Sequence, residues 1–452
     1  MKIVKNLSEG NIYKNLLLYS IPLILSSILS QAYSTVDGVI AGKFISAYAL
    51  GAISASNAVE ILFTALIGGI AGGFSIYIAQ HFGRGDFATI KRDVIGMTSF
   101  VVIIAICFSV LSISFRGPIM NFLNIDPLIR SEAQTYFTIY NIGLVILFAN
   151  QLFVAVLHAL GVTSFSFYVT LLSALMNIGG NLLSVCVFGM GVEGLAISTL
   201  ISALASSVVY IFMLKKAFRE IPSEKTPFKF DFSCVKNSLR YTVPHALQLL
   251  SFYGVSFIIA PAINTLGAAA TTGYSIANRI NALGTVAIGG FASAFGCYTG
   301  QCFGRGDIRL IRRGVRVGLW MNCAIELPFV LTVLIFAKPI VSLFFPDQYA
   351  GEAYEYAVRY ATIFFPFVYL RLIGHFLHTY MRSLGRVSVV LWLTIIGSVV
   401  YIIGALTLIP IIGFNGAFIS QIISWFVDVI ICGGIYFFRY RTENQLKLII
   451  KQ

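Results

Sequence analysis

A chain of 452 residues with 58% apolar and only 11% charged side chains, and a mean hydropathy of +0.87, lies far from the roughly 25% charged composition of soluble domains. A soluble fold is excluded. Long uninterrupted apolar runs, rather than alternating ones, also exclude an outer-membrane barrel, and at about 20 residues per crossing the length accommodates roughly a dozen helices. The net charge of +13 is therefore read first as membrane topology and only second as a nucleic-acid footprint.

In chain order, the stretch from Met1 to Asn15 is polar and carries no small-residue cleavage site. The apolar run behind it is expected to be retained as a first span. Apolar runs between polar punctuation predict spans at 15–42, 48–80, 94–115, 133–158, 165–188, 194–214, 238–264, 268–302, 315–337, 354–381, 387–410 and 416–438. Several of these runs exceed the bilayer span, which permits tilt, kinks at Pro22, Pro244, Pro261 and Pro366, or projection beyond the lipid. None of the seven cysteines sits in a CxxC pair, so neither a disulfide framework nor a cysteine metal site is expected, and the one possible metal ligand is Asp37, for sodium. With the N-terminus in the cytoplasm, 24 of the 31 Lys and Arg fall on the inner side and five on the outer, leaving Arg279 and Arg371 at membrane depth. That bias orients both termini to the cytoplasm and accounts for most of the positive charge, so no nucleic-acid partner is expected.

The segment Gln80 to Arg92, with Phe82-Gly-Arg-Gly-Asp86 near its start, recurs from Gln301 to Arg313, and in the same register Asn57 pairs with Asn278 and Ala49 with Ala270. The chain is a duplication. Six spans per half, an even number, make the halves parallel repeats about an axis normal to the membrane. The expected fold is an all-α polytopic protein with an N-lobe at 1–217, a cytoplasmic linker at 218–237 and a C-lobe at 238–452. Binding in a cleft between such lobes, exposed alternately to either side, is the logic of a secondary transporter. The Gly-Arg-Gly-Asp loops are read as glycine-assisted turns, with gating contact as the functional alternative. A phosphate loop would need a preceding strand and a Walker-type Lys-Ser/Thr, and neither is present.

The first span from Ile21 through Asp37-Gly38, the Gly68-Gly69 and Gly72-Gly73 pairs, the duplicated loop, Leu160-Gly161 and Gly191 to Ser202 together resemble the multidrug and toxic compound extrusion (MATE) transporters over nearly the whole chain. The resemblance implies a twelve-helix, two-lobed antiporter of the cell inner (plasma) membrane, not an enzyme. Such a protein exports organic cations or amphipathic drugs in exchange for protons or sodium ions, with no cofactor besides the coupling ion, and a monomer is expected. It also implies that the family's first-lobe ion site falls on Asp37, Asn177, Asn181 and Thr199. Asn181 stands where the family commonly has Asp, which leaves one carboxylate. The stretch after Pro244 lacks the Glu that some members carry on the seventh helix.

Read from the residues alone, a carboxylate at bilayer depth is costly and marks a candidate functional site. Asp37 is the first such candidate, because a proton or a cation can each neutralise it. The alternative is an Asp satisfied by neighbouring Asn or backbone groups. Asn177 and Asn181, four apart on one helix face, can complete a hard cation's coordination, bond a protonated Asp, or serve as packing glue. Thr199 can instead satisfy its own helix backbone. Substrate contacts are sought at Gln31, Tyr33, Asn57, Tyr140, Asn278, Arg279, Arg371, His375 and Asp428, where rings suit flat cations and His375 with His378 and Arg371 forms a polar cluster. Glu60, Glu326 and Arg279 are open between cleft positions and pairing with one another. A lipid-linked oligosaccharide flippase is the alternative function, but it would line its cleft with several basic residues, whereas Arg279 and Arg371 alone lie at depth. A membrane enzyme would need a paired-carboxylate or Ser/His/Asp constellation, and none is evident.

Overall fold

A bilayer offers no water to backbone N–H and C=O groups, so a chain this apolar must satisfy them within helices. The computed structural model describes residues 3–123, 125–222, 232–345 and 351–450, and these contain helices and no strand. The first half runs through α1 (Ile12–Ile40), α2 (Ala47–Arg84), α3 (Phe87–Ser114), α4 (Arg116–Phe122), α5 (Pro127–Ile142), α6 (Leu144–Ala159), α7 (Ser164–Leu182) and α8 (Val192–Glu220). The second runs through α9 (Phe232–Asn264), α10 (Ala268–Arg305), α11 (Ile308–Ile335), α12 (Ala337–Ser342), α13 (Glu352–Phe364), α14 (Val368–Ser383), α15 (Val387–Ile412), α16 (Phe414–Ile435) and α17 (Glu443–Ile450). Among the described residues, eleven helical segments are long and apolar enough to cross a membrane, and the count is twelve if α5 with α6, bent by 51°, is taken as one span. The chain is a multi-pass membrane protein.

That fourth span differs from the straight crossing expected at 133–158. The bend falls at Gly143, where a Cβ would run into the Leu200 side chain of α8. Of the expected kinks, Pro366 sits in a 3-10 turn, Phe365–Phe367, that joins α13 to α14. Pro22 lies within an unbroken α1, and α9 runs through Pro244 and Pro261, as neighbouring helices in a membrane permit.

Contacts divide the chain into two compact units, Met1–Asn6 with Leu25–Ala246 and Leu7–Ile24 with Leu247–Gln452. The first part of α1 therefore packs with second-half residues, and the first part of α9 with first-half residues. Small residues make this possible. In the first unit, α9 approaches α2 so closely that a Cβ on Gly73 would lie 2.7 Å from the Thr242 Cα. In the second, a Cβ on Gly290 would lie 2.9 Å from the Ile24 Cα of α1. Gly290 is the repeat counterpart of Gly69, which meets Ala246 in the same manner. Close backbone approach through glycine is how membrane helices gain packing when lipid removes the hydrophobic drive between them.

The duplicated loop keeps one geometry in both units. Gly85 and Gly306 take left-handed dihedrals at φ 76° and 77°, which residues with a Cβ disfavour. The next residue caps the following helix: Asp86 accepts from the Thr89 N–H at 3.3 Å and Asp307 from the Leu310 N–H at 3.0 Å. Burial raises the Asp86 carboxyl, but hydrogen bonds from Thr89 and His81 outweigh it and hold the group below the usual carboxylate value. A depressed folded-state pKa means that this stabilisation is present at neutral pH and lost as pH falls through that value. Asp86→Ala should thus lower the melting temperature at neutral pH, by the equivalent of about 1 kcal/mol for a lost cap, and by less in acid; an equal loss in acid would contradict the capping role. Gly73→Leu should cost about 1–3 kcal/mol through overpacking, whereas Gly117→Leu, with nothing within 4 Å of its Cβ, should leave the melting temperature of the detergent-solubilised protein unchanged.

Candidate functional site

In the first unit, three helices bring together the four residues singled out for ion coupling. Asn177 and Asn181 occupy one face of α7, and a Cβ on Gly180 would lie only 3.0 Å from the Ser198 Oγ of α8. That approach puts Thr199 beside Asn177. The Asn181 amide N–H donates to the Asp37 Oδ1 at 2.6 Å and to the Asn177 Oδ1 at 3.3 Å. Asn177 donates to the Thr199 Oγ at 3.1 Å, and Thr199 donates to the Leu195 carbonyl at 3.0 Å. Every bond runs in a consistent sense, from donor to acceptor, with the Asp37 carboxylate as one terminal acceptor. Asn177 and Asn181 are 1% and 0% exposed, and Asp37 is half-buried.

Two features leave this network able to accept something more. The Asn181 Oδ1 is buried and has no hydrogen-bond partner, an expensive condition that a cation or an O–H donor would relieve. In addition, π-helical turns follow both anchor residues, Ala41–Ile45 after Asp37 and Leu183–Val187 after Asn181, and the two turns touch. Such turns release backbone groups from the regular ladder and recur at functional sites.

Around the network, Tyr33 lies in electrostatic reach of Asp37, and Tyr136 in reach of both Asp37 and the buried Glu60. Tyr140 stacks on Tyr136 with ring centroids 6.3 Å apart and lies in electrostatic reach of Glu60. Gln31 and Asn57 are exposed, and neither side chain joins the network. Sequence reasoning missed Tyr136, although its spacing of four from Tyr140 places both on one face of α5.

The remaining candidates lie in the second unit and separate into two groups. The Arg371 Nη1 donates to the Asn281 Oδ1 at 3.0 Å and its Nη2 to the Thr285 Oγ1 at 2.6 Å, with the guanidinium 5.8 Å from the Trp425 ring centroid. One helical turn or more away on α14, His378 faces Asp428 of α16: Nε2 and Oδ1 approach to 3.0 Å, near enough to pair as ions but misaligned for a hydrogen bond. The expected cluster of Arg371, His375 and His378 is thus divided between two neighbours, and the half-buried His375 stands between them in sequence. Asn278 is half-buried and Arg279 exposed. The cation in electrostatic reach of Glu326 is Arg371, rather than Arg279. Among the described residues no group of three His, Cys, Asp or Glu is placed to hold a metal ion.

Comparison with known proteins places this architecture. The chain matches the MatE family over residues 22–183 and 244–407. It is 23% identical to the probable multidrug resistance protein YoeA of Bacillus subtilis, over 99% of this chain and 98% of YoeA. It is 25% identical to the probable multidrug resistance protein NorM of Photorhabdus laumondii, over 74% of each. In fold it is similar to a multidrug resistance MATE family transporter of the MOP superfamily solved in an outward-facing conformation, with a TM-score of 0.89 at 21% identity over the full length of both chains. A MOP superfamily transporter from Pyrococcus furiosus, described as having a binding pocket of reverse polarity, superposes at 0.88 with 20% identity, again over both full lengths.

The contact between Asp37 and Asn181 makes a direct prediction. Asn181→Asp would set two carboxylates against each other at hydrogen-bond distance, where like charges cannot both stay ionised without a counter-ion. The variant's melting temperature should rise on adding Na+ or on acidification more steeply than that of the unsubstituted protein. An identical response of the two proteins would contradict the contact.

Proposed function

The chain belongs to the MatE family, and on that premise we propose that it is an ion-coupled exporter, moving organic cations or amphipathic drug-like compounds out of the cytoplasm in exchange for protons or sodium ions. The observation that carries this reading is Asp37, a carboxylate among apolar helices that accepts from the amide N–H of Asn181, whose own oxygen is buried and unpartnered. Relatives described as probable multidrug resistance proteins support the substrate class. The basic bias of the loops predicted to face inward supports a plasma-membrane protein with cytoplasmic termini.

In this reading the site has one negative charge to offer, and one cation at a time can neutralise it. A proton forms a carboxylic acid that donates to an amide oxygen. A sodium ion is held by carboxylate and amide oxygens, the hard donors it favours. Leaving Asp37 bare in apolar surroundings is costly, so the empty and loaded states differ in free energy. A ligand shifts a conformational equilibrium only by its differential affinity for the two states, about tenfold for each 1.4 kcal/mol. Asp37 is where that difference arises, and coupling follows when ion and substrate favour opposite exposures of the site.

Efflux of a fluorescent organic cation from proteoliposomes, driven in turn by a sodium gradient and by a pH gradient, tests this reading. Export under one of them should name the coupling ion. Asp37→Asn keeps the side-chain volume and removes the charge, so it should abolish gradient-driven export while leaving gel-filtration behaviour unchanged. Full export by that variant would overturn the mechanism.

A further inference from the structure

The second unit contains a carboxylate for which Asp37 chemistry has no use. Glu326 on α11 is fully buried, and neither of its oxygens has a hydrogen-bond partner. Asn322, four residues earlier on the same face, is 1% exposed, with both amide atoms likewise unpartnered. Gly284 of α10 supplies the room, since a Cβ there would stand 3.1 Å from the Glu326 Oε1. On either side of Gly284, Asn281 and Thr285 hold the Arg371 guanidinium. Glu326 and Arg371 therefore converge on one stretch of α10, in electrostatic reach of each other and without a hydrogen bond between them.

We propose that Glu326 is a proton-exchange site of the second unit, its carboxylate neutralised alternately by a proton and by the Arg371 guanidinium. With the proton bound, Glu326 is a neutral acid and Arg371 rests on Asn281 and Thr285, the arrangement observed. When the proton leaves, the carboxylate draws the guanidinium off those two acceptors. Arg371 stays charged throughout, because a guanidinium does not lose its proton in a protein. Asn322 suits both states, since its amide can accept from the acid O–H or donate to the carboxylate. A metal ion is disfavoured here, because it would place a second positive charge against Arg371 in a buried space.

The groups that face this pair are few. Tyr369 of α14 lies in reach of Glu326 and of Cys323, while Tyr360 of α13 and Tyr253 of α9 face Arg371. The other charged or titratable groups on elements packed against α11 are Tyr274, Arg279, Cys297, Tyr298, Cys302 and Arg305 on α10, Lys338 on α12, and Glu352, Tyr354, Glu355, Tyr356 and Arg359 on α13. To these add His375, His378, Tyr380 and Arg382 on α14, Glu443 and Lys447 on α17, and Arg309, Arg312, Arg313 and Arg316 on α11 itself. Among the described residues, the charge acting on Glu326 is that of Arg371.

Trp425 reports on this site from 5.8 Å above the Arg371 guanidinium. The other two tryptophans, Trp320 and Trp392, are 78% and 64% exposed, so W320F/W392F leaves one reporter without disturbing the core. In that full-length background, Trp425 fluorescence titrated across neutral pH should show one protonation step. The step should disappear in E326Q, persist in E326D with a displaced midpoint, and persist in D37N, which separates this site from the coupling role of Asp37. An unchanged step in E326Q would overturn the proposal. So would a step that is absent from every variant, or one that H378Q abolishes, which would assign it to the His378–Asp428 pair instead.

Discussion

A carboxylate enclosed by apolar helices must be met by donors, and the rest of the first unit is arranged around that requirement at Asp37. The bond from Asn181 at 2.6 Å is the direct answer. Its geometry depends on Asn177 four residues back, on the close approach of α7 to α8 at Gly180, and on Thr199 at the far end of the chain of bonds. Because Asn181 uses its N–H on both Asp37 and Asn177, its oxygen is left as a buried acceptor. A site that satisfies its carboxylate while retaining an unmet acceptor is poised between structural completeness and ligand binding.

The duplication preserves backbone devices and changes chemistry. Both Gly-Arg-Gly-Asp turns keep a left-handed glycine and a capping aspartate, and Gly69 and Gly290 both admit a crossing helix. The carboxylates at membrane depth do not repeat. In the same register Asp37 corresponds to Ile258, Glu60 to Asn281 and Glu326 to Ala105, while Thr64 matches Thr285. In the second unit that threonine, Thr285, accepts from Arg371. Each unit has thus kept the helical frame and placed its buried carboxylates at different positions along it.

Much of the fold was legible in the sequence, because bilayer thickness and backbone satisfaction act locally on each apolar run. The duplicated loop was legible as a turn for the same reason: glycine dihedrals and an aspartate cap are decided within five residues. The pairing of Asn177 with Asn181 followed from helical spacing alone. What the sequence did not disclose depends on contacts between distant segments. At the bend, Gly143 packs against Leu200 of another helix, and the grouping of Leu7–Ile24 with second-half residues goes with glycine packing against Ile24. The partners of Arg371 and Asp428 required the placement of α10 and α16. Even so, Asn281 with Thr285 and Asn322 with Glu326 carry the same spacing of four that placed Asn177 and Asn181 on one face, a signal that was present but unused.

The central claim, that Asp37 is the group at which the coupling ion is exchanged, is tested most directly by infrared difference spectroscopy of the reconstituted protein. Na+ is exchanged for K+ at constant pH, and pH is then changed at constant Na+. The account predicts a carboxyl band that responds to at least one of these exchanges and is lost in Asp37→Asn. A band of full amplitude in that variant, or no carboxyl response to either exchange in the unsubstituted protein, would contradict it.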